Sequence, residues 1–208
     1  MNFDKYNILD GDISTNDLQW ILENSKYIAV DTETTGLDPQ KSKLSLVQIA
    51  ASNRYFLIRF HDNYSAKNLV ELLNNEVIYK IFHHATFDVK FLMNYLGCKE
   101  IKNVVCTKIA AKLLFGPETK TSLKNLIHDY FHVSIDKRQQ LSDWTREQLS
   151  DEQIEYAIND VRYLVDLWLR LESELKEKGL LKYARNCFFF LPTQAFIENQ
   201  GIPNIFQY

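Results

Sequence analysis

Residues 27–37 read Tyr-Ile-Ala-Val-Asp-Thr-Glu-Thr-Thr-Gly-Leu, a short apolar run that ends in two acids. The β-branched and aromatic residues at 27–30 predict a buried strand with Asp31 at its C-terminal end. Strand alternation puts Asp31 and Glu33 on one face and turns Thr32 away. Two carboxylates a few Å apart raise each other's pKa, so the pair is costly unless a cation joins it. A solvated strand end running into the turn Thr34-Thr35-Gly36-Leu37-Asp38-Pro39 is the alternative that this segment alone leaves open.

Outward from this strand, Leu44–Ala51 and Tyr55–Phe60 read as two more, joined by the hairpin-like Ser52-Asn53-Arg54. Val77–Phe82 is a fourth, and Asn103–Cys106 a short fifth. Apolar residues at helical spacing mark Ala66–Leu73, Phe87–Leu96, Thr107–Leu114 and Ser122–Phe131. One long helix is expected from Ser150 to about Lys178, opened by a Ser150–Gln153 capping box and closed near Gly179. The first half is thus strand-rich and the second helical, an α/β chain. After Gly179 the run Cys187–Leu191 is markedly aromatic, and the last residues, 201–208, have no clear period. The aromatic run either packs on the domain or offers a patch for a homodimer or a protein partner.

The 208 residues are 46% hydrophobic and 25% charged, with 6 Gly and 4 Pro, which suits one domain, alone or with a short appendage, and excludes a disordered or collagen-like chain. Apolar runs fall far short of the ~20 residues that span a bilayer. The N-terminus has no apolar signal core, and the 3 Cys lack CxxC spacing. The expectation is a soluble intracellular protein, cytoplasmic if bacterial, with no membrane partner. Lys and Arg total 24 against 27 acids, a net charge of −3. That balance disfavours wrapping duplex nucleic acid, yet permits a grip on a strand end where metal ions supply positive charge.

Two further segments carry acids beside apolar runs. Asp88 follows Ile81-Phe82-His83-His84-Ala85-Thr86-Phe87, near the start of a helix, where a carboxylate also caps or complements the helix dipole. Tyr156 and Asp160, at i and i+4, share one helical face, as do many surface hydrogen-bonded pairs. Taken together, D-x-E, H-x-x-x-F-D and Y-x-x-x-D form a far more specific pattern than any one of them. His128 and His132 also stand at i, i+4, but Asp129 occupies the place where a zinc protease needs Glu, so metal binding there is set aside.

In this order and spacing the segments resemble the DEDD 3′–5′ exonucleases, in the subgroup with tyrosine in the third motif: ribonuclease D, the Werner-type exonucleases and the proofreading domain of family A DNA polymerases. The resemblance spans roughly residues 25–175 and includes Thr121-Ser122-Leu123-Lys124-Asn125-Leu126, Ser142-Asp143-Trp144 and the stretch Tyr156–Tyr163. It implies a ribonuclease H-like fold, a mixed five-stranded sheet with its first three strands antiparallel and flanked by helices, over residues 1–180. Residues 181–208 then form an extension that resembles the start of a polymerase domain and makes no separate domain.

The resemblance further implies two divalent ions, Mg²⁺ or Mn²⁺, which as hard cations suit oxygen ligands. Asp31 would bridge both, Glu33 and Asp160 would complete the nucleophile-side ion, and Asp88 would hold the leaving-group ion. Tyr156 would orient the attacking water, since a phenol of pKa ~10 is a poor base. The implied substrate is a single-stranded 3′ end, RNA slightly favoured over DNA, releasing nucleoside 5′-monophosphates. Implied substrate contacts are Thr32, Leu37, His84, Lys137 and Arg138. Leu37 matches a wedge beside the terminal base or is an ordinary turn leucine. His84 stands where the proofreading group has Asn, and Lys137 and Arg138 either touch phosphates or form a solvated loop. The reading from another class is a catalytically silent exonuclease fold that binds nucleic acid or a partner.

Overall fold

The computed structural model describes residues 6–61, 65–203 and 205–206. In chain order the elements are β1 (Tyr6–Asp10), α1 (Thr15–Asn24), β2 (Tyr27–Thr34), β3 (Leu44–Ala51), β4 (Arg54–Arg59), α2 (Lys67–Asn74), β5 (Tyr79–Phe82), α3 (Ala85–Leu96), β6 (Val104–Cys106), α4 (Thr107–Phe115), α5 (Leu123–Phe131), α6 (Asp151–Arg162), α7 (Leu164–Glu177) and α8 (Leu181–Asn199). The strands form one mixed sheet in the order β1-β4-β3-β2-β5-β6. β2, β3 and β4 make the antiparallel meander, while β5 runs parallel to β2, β6 to β5, and β1 to β4.

β3 is buried along its whole length, so it shows no polar alternation; helices cover both faces of the sheet there. Leu46 and Leu57 turn toward α6, where they meet Ile154, Tyr156, Ala157 and Ile158. Their neighbours Val47, Ile49, Phe56 and Ile58 turn to the main core on the other face. α6 is thereby laid across the meander, in contact with both β3 and β2.

The structure departs from the sequence expectation in three places. The sheet has six strands where five were expected. The sixth, β1, is a five-residue edge strand whose residues are largely exposed. α1 was not anticipated either: it buries only Leu18 and Ile21, with Ser14 capping its start through the Asp17 N–H. The long helix expected over 150–178 is two helices, α6 and α7, which meet at Tyr163. No Gly or Pro marks that break, and the apolar spacing continues through it. Gly179, at φ 69°, ends α7 in the left-handed conformation. Its N–H bonds the Lys176 carbonyl and the Leu180 N–H bonds that of Leu175, the paired bonds of a Schellman end.

The chain beyond residue 180 enters the same core. α8 contributes Ala184, Phe188, Leu191 and Ala195, and Phe188 meets Trp168 edge-on at 5.6 Å. Phe189 stays exposed and Phe190 half-buried, so the aromatic triplet splits between core and surface. Pro192 lies inside the helix. Among the described residues, no helix is long and apolar enough to cross a membrane.

Candidate active site

β2 outruns its parallel neighbour. Its pairing with β5 stops at Ala29↔Ile81, whereas its pairing with β3 continues to Thr34. Asp31 and Glu33 therefore project past the end of β5, into the gap where the chain leaves β5 through His83 and His84 and starts α3. Asp88 stands in the first turn of α3, and α6 supplies Tyr156 and Asp160. All five side chains line one cleft of about 750 Å³. Ligand oxygens of Asp31, Glu33 and Asp160 lie within 4.8 Å of one another.

Thr32 was expected among the substrate contacts. It lines the cleft, and its hydroxyl also donates to Asp88 Oδ1 at 2.7 Å, a buried bond that aims the α3 carboxylate. Strand alternation thus puts Asp31 and Glu33 on one side of β2 and uses the residue between them to hold a fourth acid.

Every carboxyl in the cluster is pushed up. Burial is the first cause for Asp31 and Glu33, which lie well above the ordinary range, with repulsion from Asp88 and Asp160 adding to it. Burial raises Asp88 to about 7 against the opposing Thr32 hydrogen bond. Burial likewise raises Asp160 to about 6, offset by a hydrogen bond from the Tyr156 phenol and by the Lys137 charge. Asp160 Oδ1 is buried with no protein partner. A crowded all-oxygen set with an orphaned carboxylate oxygen fits hard divalent cations. Tyr156 is held protonated: burial first, then the charge of Asp160, drives its pKa far up.

These shifts have a thermal consequence. In the unfolded chain the carboxyls ionise near pH ~4. Between there and about pH 7 the folded, metal-free protein binds more protons, so the stability these groups contribute falls as pH rises through their folded values. His83 acts oppositely, since burial lowers it to about 3 and its share is lost as pH falls. Comparing Asp160→Asn with the parent cancels the His83 contribution. In chelator, Asp160→Asn is expected to melt roughly 5 °C higher at pH 7.5 and nearly level at pH 4.5. Equal differences at the two pH values in thermal melts would sink this account.

The remaining expected contacts divide. Leu37 is 82% exposed at the cleft rim, on a turn braced by Asn94 and by the end of α8. Gln40 Nε2 donates to Asn94 Oδ1 at 3.1 Å and to the Asn199 carbonyl at 3.3 Å, and Asn94 Nδ2 donates to the Pro39 carbonyl at 2.7 Å. His84 is the N-cap residue of α3, stacked on Phe87, and its pKa is lowered by burial and by Lys108. Lys137 lines the cleft and its charge favours ionised Asp31, Glu33 and Asp160. Arg138 turns away: its guanidinium pairs with Asp136 at 2.6 Å in solvent.

Other cleft residues had no assigned role in the sequence. His83 is half-buried in the cleft wall, with Nδ1 at 3.0 Å from Thr107 Oγ1, and Lys108 of α4 also lines the cleft. Trp144 packs its ring on Tyr156 at 5.8 Å. Only the neighbouring motif letters could have pointed to these, because each is placed by a fold contact between distant segments. His132 caps α5 in the left-handed conformation, so His128 and His132 do not share a helical face.

The family model described as 3′-5′ exonuclease matches residues 6–176. DNA polymerase I of Aquifex aeolicus is 34% identical over 156 residues, covering 75% of this chain and 25% of that protein. Ribonuclease D of Zymomonas mobilis is 32% identical over 160 residues, covering 76% of this chain and 40% of that protein. The chain spans well under half the length of these two curated relatives. Among solved structures, Brucella melitensis NrnC bound to pGG superposes with a TM-score of 0.88 at 36% identity, over 98% of each chain. The same NrnC with bound Mg²⁺ gives a TM-score of 0.86 at 35% identity, over 98% of this chain and 99% of that one. The matched residues take in β2, α3 and α6, and the chain belongs to the 3′-5′ exonuclease family.

Proposed function

We propose that the protein is a divalent-metal-dependent 3′–5′ exonuclease of the tyrosine-containing DEDD subgroup, acting on single-stranded 3′ ends and favouring RNA over DNA. The observation that carries this reading is the meeting of four carboxylates, three buried and Asp31 half-buried, with a protonated phenol in one open cleft. Asp31, Glu33 and Asp160 would hold one Mg²⁺ or Mn²⁺ and Asp31 with Asp88 a second, supplying charge relief and an acidified water. The reading of a silent binding module would be favoured by a missing acid, and none is missing.

The chain's own groups do the positioning. Water attacks the phosphorus of the last linkage, the P–O3′ bond breaks, and the released nucleotide keeps its 5′-phosphate while the shortened strand regains a 3′-hydroxyl. Tyr156, neutral at working pH, holds that water by hydrogen bonding and is not itself the base. Thr32 fixes Asp88, and Lys137 offsets the acids while facing substrate phosphate. Leu37, exposed on its braced turn, meets the terminal base, and His84 meets a sugar or phosphate oxygen. NrnC bound to pGG supports short oligonucleotides as part of the substrate range.

The test is a paired time course with Mn²⁺ on 5′-labelled single-stranded RNA and DNA of one sequence, with pGG alongside. The expected result is a ladder shortening from the 3′ end, faster on RNA, and conversion of pGG to mononucleotide. Intact strands and intact pGG, in the presence of a control exonuclease that digests them, would overturn the proposal.

A further inference from the structure

Gln153 is the third residue of α6, 2% exposed, and its side chain works in two directions. Oε1 accepts from the Ser150 N–H at 3.1 Å and closes the capping box, while Ser150 Oγ accepts from the Gln153 N–H. A cap needs only that oxygen. Nε2 is committed elsewhere: it donates to Ser142 Oγ at 3.0 Å and to the Asp143 carbonyl at 3.0 Å. The amide nitrogen thus ties the loop between α5 and α6 to the helix at the two residues before Trp144.

Trp144 is where that tie arrives at the chemistry. Its indole is buried, and its ring centroid is 5.8 Å from that of Tyr156 at a 43° tilt. Beyond it, Arg59 Nη1 donates to the Glu147 carbonyl and fastens the other flank of the loop to β4. Lys137 and Leu141 of the same loop line the cleft. The helix backbone places the Tyr156 Cβ, but the ring direction rests on what packs against it, and a catalytic group misplaced by about 1 Å can cost ~10²-fold in rate.

We propose that Gln153, acting through Trp144, is a positioning residue for Tyr156. The Nε2 bonds hold the loop, the loop holds the indole, and the indole holds the phenol in its working direction. This rests on the reading of Tyr156 as the group that orients water.

The test separates the cap from the clamp. Gln153→Glu keeps the capping oxygen and removes both donor bonds. Its kcat is expected to fall about tenfold, with KM within about twofold and equilibrium Mn²⁺ binding unchanged, measured below the variant's own melting transition. In a Tyr156→Phe background the same change should cost less than about twofold, because the group being positioned is gone. Ser142→Ala, which removes one of the two acceptors, should show a smaller fall with the same non-additivity and serves if Gln153→Glu does not fold. An equal kcat loss in both backgrounds, or none in either, overturns the positioning role alone. Tyr156→Phe at the parent rate would instead overturn the reading of Tyr156, and this inference with it.

Discussion

Asp31→Asn is expected to lower 3′-terminal hydrolysis by about 10³-fold or more on RNA and DNA alike, a loss of roughly 4 kcal/mol in transition-state stabilisation. The same variant, freed of metal, should melt higher than the parent at pH 7.5. Asp31 is the centre of the cluster: its oxygen lies within 4.8 Å of ligand atoms on both Glu33 and Asp160, and Asp88 and Asp160 repel its charge most strongly. Asn has the same shape, so the end of β2 and the cross-strand pairing with Gln48 remain. What disappears is one negative charge in a crowd of four. Opposite signs for activity and stability are the mark of a site built at the expense of the scaffold. Rates within tenfold of the parent, or a lower Tm, would show that Asp31 belongs to the scaffold instead.

Tyr156→Phe should reduce kcat by about 10²-fold, the cost of a misplaced attacking water, while leaving Tm within about 2 °C. The ring and its contact with Trp144 survive, and only the hydroxyl and its hydrogen bond to Asp160 go. The pH–rate profile of the variant should keep the parent's shape, because burial and the Asp160 charge keep the phenol protonated throughout the working range. A profile limb present in the parent and missing in Tyr156→Phe would mean that the phenol ionises during turnover.

Local pattern carried a large part of this structure. The run ending in Asp31 reads as a buried strand because β-branched residues precede a turn, and the alternation that pairs Asp31 with Glu33 is a property of any extended chain. The i, i+4 relation of Tyr156 and Asp160 follows equally from helix geometry, and the Ser150–Gln153 cap was legible as four letters. β1 and α1 were not legible because an exposed edge strand and a helix burying two side chains have little apolar period to detect. The break at Tyr163 escaped for the opposite reason: the apolar stripe runs unbroken through it.

The amino-acid sequence by itself determined which groups could do chemistry here: four acids and a tyrosine, each at the end or on one face of an element whose type its neighbours dictate. The tertiary structure alone decided what those groups became. It tied Thr32, a cleft-lining residue, to Asp88 by a buried hydrogen bond, and it sent Arg138 to Asp136 while leaving Lys137 over the acids. It also made the cap residue Gln153 the anchor of a loop that carries Trp144 to Tyr156. Local spacing is set by backbone periods of two and 3.6 residues, which any reader of the sequence can count. A hydrogen bond between residues 56 positions apart, such as Thr32 to Asp88, and the desolvation that raises four carboxyls together exist only after distant segments have packed.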